Sequence, residues 1–229
     1  AARAVRRALD RFDLGARVRA ALGGEEPQEV LAIGKAAPLM LQAALGRSTR
    51  RALCIAPEGI ELGYVDPRVD ILLSSHPHPD ERSVDAAERA LAFARASGDL
   101  LVLVSGGASA LACLPHAGTS LAEKRAIAGA LMRGGASIEE LNTVRRHLSA
   151  IKGGGLLRAA SGKVRTLLLS DVIGGAAHDI GSGPSVPDPT TVQEAGEVLA
   201  RHGLAAALRE TVKPLDEEAR RSESVIVGR

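Results

Sequence analysis

Residues able to hold an anion or move a proton recur at four places in this sequence, each beside an apolar run. Lys35 follows Gly34 in LAIGKAAP. Ser105, Gly106, Gly107 and Ser109 stand in VLVSGGASALACLP. Asn142, Arg145, Ser149 and Lys152 punctuate SIEELNTVRRHLSAIKGGG, and Asp171 closes LLLSD. An ammonium at a strand-to-helix turn favours phosphate or developing phosphoryl charge, because helix-start amides also point there. A Gly-Gly turn, with no Cβ to shield its amides, suits the same ligand. On a helix starting at Ile138, steps of three and four put Asn142, Arg145, Ser149 and Lys152 on one face, as a carboxylate or phosphate would want. A carboxylate at a strand end, such as Asp171, can hold Mg²⁺ or accept a hydroxyl proton in phosphoryl transfer. Each place also has a plainer reading: a solvated lysine, an ordinary tight turn, a solvated helix face, and a helix cap.

Several other chemistries find no support. The turns lack the GxxxxGK[ST] of a phosphate loop and the GxGxxG of a dinucleotide site, and no GxSxG surrounds Ser105 or Ser109. His76 and His78 in SSHPHPDE have no third ligand in reach, so they read as structural. Cys54 and Cys113, in LCIAP and LACLP, read as buried thiols.

These residues need elements to position them. Apolar runs predict strands over Glu29 to Ile33, Ala52 to Ala56, Val69 to Leu73, Leu100 to Val104 and Val164 to Leu169. Helical patterns fill the intervals: Ala1 to Leu22, Ala36 to Leu45, Pro79 to Ala96, Ala108 to Leu114, Leu121 to Gly134 and Ser137 to Ala160, the last broken at glycines 153 to 155. Thr190 or Thr191 caps a further helix through Arg201. Unbroken apolar strands alternating with helices predict an α/β, Rossmann-like, mostly parallel sheet with helices on both faces, a three-layer sandwich. Ligands of such sheets bind beyond the carboxyl ends of the strands, where all four places fall. The segment from Gly174 to Pro189 has no periodicity and reads as a functional loop. Val225 to Val227 reads as the start of a strand whose partners lie outside the chain.

With 45% apolar residues, a chain of 229 can bury a core without disulfides or metal. A net charge of +2, scattered arginines and almost no aromatic residues leave no footprint for nucleic acid. No apolar run reaches membrane-spanning length, and the basic start is not followed by a secretory core, so the cytoplasm is the default expectation.

Taken in order, IGKAA, HPHPDE, SGGASALACLP with GTSLAEK, GASIEELNTVRRHLSAIKGG, and LLLSDVIGG with IGSGPSVPDPTT resemble the successive blocks of the type II glycerate kinases from Val30 through Glu194. The resemblance implies ATP with Mg²⁺ or another divalent cation, glycerate as the other small-molecule substrate, and catalysis in a cleft between two domains. It implies that Lys35 acts on the transferring phosphoryl group, and that Ser105, Gly106, Gly107 and Ser109 hold substrate or phosphate. Asn142, Arg145 and Lys152 fall in its polar helix block and Asp171 in its SDV block. Residues 1–229 then form the Rossmann-like N-terminal domain. Nothing matches the family's smaller C-terminal α/β domain, so the chain alone is expected to be inactive. Ser75, Ala108, Gly155 and Gly175 depart from the family pattern, and Gly175, where an Asp or Asn is common, weakens a metal role for its loop. The oligomeric state is open, a homodimer included. Two rival readings remain, a hydroxypyruvate reductase and a sugar-phosphate-binding regulatory domain.

Overall fold

The computed structural model describes residues 13–60, 66–170 and 175–228. Among these, six strands form one sheet: β1 (Glu29–Ile33), β2 (Arg51–Pro57), β3 (Val69–Ser74), β4 (Leu100–Ser105), β5 (Val164–Leu169) and β6 (Ser222–Gly228). Their order is β3-β2-β1-β4-β5-β6, and every neighbouring pair is parallel. β1 and β5 have the predicted bounds, and β2, β3 and β4 extend them by a residue or so. β6 corrects the expectation of a strand without partners: it pairs with β5, Val225 opposite Leu167. Its exposed, polar first half hides the apolar pattern that marks the other strands.

Helices cover both faces because strand side chains alternate between them. Leu31, Ile33, Val102 and Val104 join the core under α3 (Glu81–Arg95), α4 (Ala108–Leu111) and α7 (Gly155–Ala159). Val30, Ala32, Leu101 and Leu103 face α1 (Leu14–Leu22) and α2 (Ala37–Ala44). Each fully buried leucine of this kind adds about 2 kcal/mol. A third cluster joins α5 (Leu121–Arg133), α6 (Ile138–His147) and α8 (Val192–Arg201) beside the sheet. Helix starts were legible: Asp80, Ser120, Ser137 and Thr191 each cap a helix, with Ser83, Glu123, Glu140 and Glu194 returning the bond. Among the described residues no helix is long and apolar enough to cross a membrane.

Two helices are shorter than the pattern suggests. α4 is a single turn, and α6 stops at His147, so Ser149 and Lys152 lie in the turn beyond it. Glycines shape the turn that follows: Gly154 has φ +80°, and a Cβ there would stand 2.6 Å from Val212.

α6 is anchored by its second arginine. Arg146 is 2% exposed and lies 3.0 Å from Asp188, itself fully buried, and 3.2 Å from Asp179. Asp188 also accepts from the Thr190 and Thr211 hydroxyls at 2.8 and 3.0 Å. Removing one partner of such a pair strands a buried charge. Arg146→Met is therefore expected to cost about 3–5 kcal/mol in denaturant unfolding, and Asp188→Asn in that background to restore part of it. A loss under 1 kcal/mol, well below the ~3 kcal/mol scale, would mean the pair does not anchor the helix.

Candidate active site

Strand order reverses between β1 and β4, and the crevice beyond their carboxyl ends is where this fold binds ligands. The two turns interlock there. The Lys35 amide donates to the Gly106 carbonyl at 2.9 Å, and the Ala36 amide to Ser105 Oγ at 3.0 Å. A Cβ on Gly34, where φ is +137°, would stand 2.1 Å from Ser105 Oγ, so glycine is required. Ser105 is accordingly buried and ties the turns together instead of facing the crevice. The amides expected to serve an anion beside Lys35 are also engaged, because Ala37 donates to Gly34 and Pro38 has none. By contrast, the Gly106 and Gly107 amides meet no backbone acceptor among the described residues. The exposed Lys35 side chain and the His76 ring flank Gly107, 3.2 and 3.1 Å from where its Cβ would be.

The remaining predicted residues meet at Ser109. Its Oγ accepts from Arg145 Nη2 at 2.6 Å and from Lys152 Nζ at 2.6 Å, and lies 3.1 Å from Ser182 Oγ. Lys152 also donates to the Ser109 carbonyl at 2.5 Å. A hydroxyl with both lone pairs engaged has only its own proton left to give, so Ser109 donates to Ser182 and turns the Ser182 proton outward. Gly106, Gly107, Ser109, Asn142, Arg145 and Ser182 line a cleft of about 570 Å³ that also contains Glu139 and Asp179. Lys152 is 2% exposed and supports Ser109 from behind the wall. Ser149 faces away, donating to the Leu114 carbonyl at 3.0 Å. Asp171 lies outside the described residues, while its neighbour Ser170 lines the cleft.

Four residues of this site were not singled out from the sequence, Glu139 on the exposed side of α6 among them. Ser182 sits in the irregular loop, and its φ of +62°, rare for a non-glycine, is invisible in sequence. Asp179 is recognisable only once Arg146 is seen to hold it. Lys124, on α5, is buried and donates to the Leu148 carbonyl at 3.0 Å.

No carboxylate among the described residues offsets the charge of Lys124, Arg145 or Lys152. Burial holds Lys124 down to about 8, with Arg145 adding to the effect against the Cys113 sulfur. Burial, then the Arg145 charge, holds Lys152 well below the usual lysine range. Burial also lowers Arg145.

Among the described residues no group of three His, Cys, Asp or Glu side chains could hold a metal ion. The cleft wall carries two carboxylates, Glu139 and Asp179, the second of them paired with Arg146 at 3.2 Å.

The lysine burial has a pH signature. Between about 8 and the ordinary value of 10.5 the unfolded chain holds a proton on Lys124 that the folded chain has lost. Stability therefore rises with pH across that window, and the full penalty applies below it. Lys124→Met is expected to remove a rise on the order of 3 kcal/mol from unfolding curves taken between these pH values. Identical slopes in wild type and variant would place the Lys124 ammonium in water.

With this geometry in view, comparison with known proteins is informative. Residues 1–215 match the family described as a domain of unknown function, DUF4147. A D-glycerate 2-kinase of Thermotoga maritima is 40% identical over 200 residues, 81% of this chain and 48% of that protein. An Agrobacterium vitis protein provisionally named as a hydroxypyruvate reductase is 50% identical over 141 residues, 60% of this chain and 32% of that protein. The crystal structure of a glycerate kinase from Thermotoga maritima superposes with a TM-score of 0.88 at 34% identity, covering 98% of this chain and 57% of that one. The chain thus spans about half the length of these relatives or less. With the family model matched over nearly its whole length, the chain belongs to the DUF4147 family.

Proposed function

We propose that this chain forms the N-terminal domain of a cytoplasmic glycerate 2-kinase, which transfers the γ-phosphoryl group of ATP to D-glycerate and yields 2-phosphoglycerate and ADP. The observation that carries the reading is the pair of donors facing the cleft at the strand-order reversal, the Arg145 guanidinium and the Ser182 hydroxyl, both tied to Ser109, with two buried lysines behind them. Such a wall is arranged for an anion. The similarity to a D-glycerate 2-kinase and to a glycerate kinase structure supports the choice of substrate.

In the reaction the acceptor oxygen bonds to the γ-phosphorus, the bond to the bridging oxygen breaks, and ADP leaves with that electron pair. The chemistry demands positioning and charge neutralisation more than covalent participation. Lys35 stands where its ammonium meets the moving charge, and the Gly106 and Gly107 amides offer donors to phosphate oxygens. Asp171 is assigned to receive the acceptor proton or to hold the divalent ion. That ion, when bound, offsets charge on the nucleotide phosphates. A second domain, of the kind that would account for the greater length of the relatives, closes the cleft and contributes the remaining transition-state contacts, so that residues 1–229 alone turn over little glycerate.

The reductase reading draws only on the names of two relatives. It predicts NADH consumption with hydroxypyruvate, whereas the kinase reading predicts ADP release that requires both ATP and glycerate. In the full-length protein Lys35→Met is expected to lower kcat by about 10²-fold or more with little change in KM, as for loss of one preorganised electrostatic donor. Lys35→Arg should recover part of it, since a planar fork cannot occupy the place of an ammonium. A Met variant with wild-type kcat would make Lys35 a solvated turn residue.

A further inference from the structure

Resting on the kinase reading, we infer that the wall formed by Arg145, Ser109, Ser182 and Asn142 holds the carboxylate of a small hydroxy acid, and that the nucleotide phosphates lie at the other end of the cleft, beside Gly107 and Lys35.

Arg145 uses Nη2 on Ser109, and its other guanidinium donors have no protein acceptor among the described residues. Lys152 is spent on Ser109 Oγ and the Ser109 carbonyl and does not line the cleft. The wall therefore presents one cationic fork, the outward Ser182 hydroxyl and the buried Asn142 amide. One guanidinium with two neutral donors matches a planar monoanion with two oxygens. It falls short of a polyphosphate, which carries several charges.

The carboxylates decide the rest. Glu139 stands three residues before Asn142 on the same helix, and Asp179 faces the same space with its Oδ1 held by Arg146 at 3.2 Å. Glu139 beside the Arg145 guanidinium repels a polyphosphate placed there, and Asp179, though its charge is offset by Arg146, adds no attraction for one, yet both carboxylates accept readily from hydroxyl groups. A hydroxy acid satisfies both requirements, with its carboxylate on Arg145 and its hydroxyls toward Glu139 or Asp179. At the other end the compact, exposed ammonium of Lys35 beside the unengaged Gly106 and Gly107 amides suits phosphate oxygens, which are bound as point charges.

Two measurements on the full-length protein test the partition. In steady-state kinetics, Arg145→Gln is expected to raise the KM for D-glycerate by about 30-fold or more while leaving the KM for ATP within about threefold. Ser182→Gly, which also relieves the positive φ, should raise the glycerate KM by about threefold to tenfold. In thermal unfolding without nucleotide, D-glycerate should raise Tm of the wild type and glycerol, which lacks the carboxylate, should not; Arg145→Gln should lose the glycerate shift and keep the ATP shift. If Arg145→Gln instead loses ATP and keeps glycerate, the partition is overturned and the kinase reading stands. If the wild type shows no glycerate-dependent ADP release but D-glycerate still raises Tm through Arg145, the kinase reading falls and the carboxylate site stands. If Arg145→Gln fails to fold, Ser182→Gly decides: an unchanged glycerate KM overturns the inference.

Discussion

Everything at the cleft depends on the pairing of Arg146 with Asp188 in a place water does not reach. Neighbours on a helix point about 100° apart, so Arg145 and Arg146 cannot serve the same purpose. Arg146 turns inward, binds Asp188 and Asp179, and thereby joins α6 to the segment that carries Ser182. Arg145 turns toward the crevice. The structural arginine fixes the wall, and the one beside it is left free to meet a ligand.

The wall carries an electrostatic cost that the fold keeps. Lys124 and Lys152 are buried with no counterion among the described residues, and backbone carbonyls and one hydroxyl meet their protons. Desolvation penalises both charges. Replacing either lysine by an apolar residue of similar length would relieve that penalty, which suggests that the field they cast, rather than stability, is what the position serves.

Strand existence and strand ends were legible because buried parallel strands read as continuous apolar runs, as LLVLVS does in β4. Helix starts were legible because Ser120 with Glu123 and Thr191 with Glu194 are local signals. What depended on long-range packing was not. The polar spacing from Asn142 to Lys152 suggested one helix face, yet the helix stops at His147, and it is the turn that brings Lys152 back to Ser109. Ser105 looked like a ligand contact, and only the approach of Gly34 reveals it as a tie between strands. β6 was half hidden because an edge strand needs few apolar residues. Lys124 was missed because nothing local in a capped amphipathic helix distinguishes a buried lysine from a solvated one.

The buried lysines also couple the cleft to solvent acidity. An anion seated on Arg145 stabilises the charged forms of Lys124 and Lys152, so in mildly alkaline solution its arrival draws hydrogen ions out of the medium. The heat of association then varies with the ionisation enthalpy of the buffer, and occupancy of the cleft and the charge state of its floor become a single equilibrium.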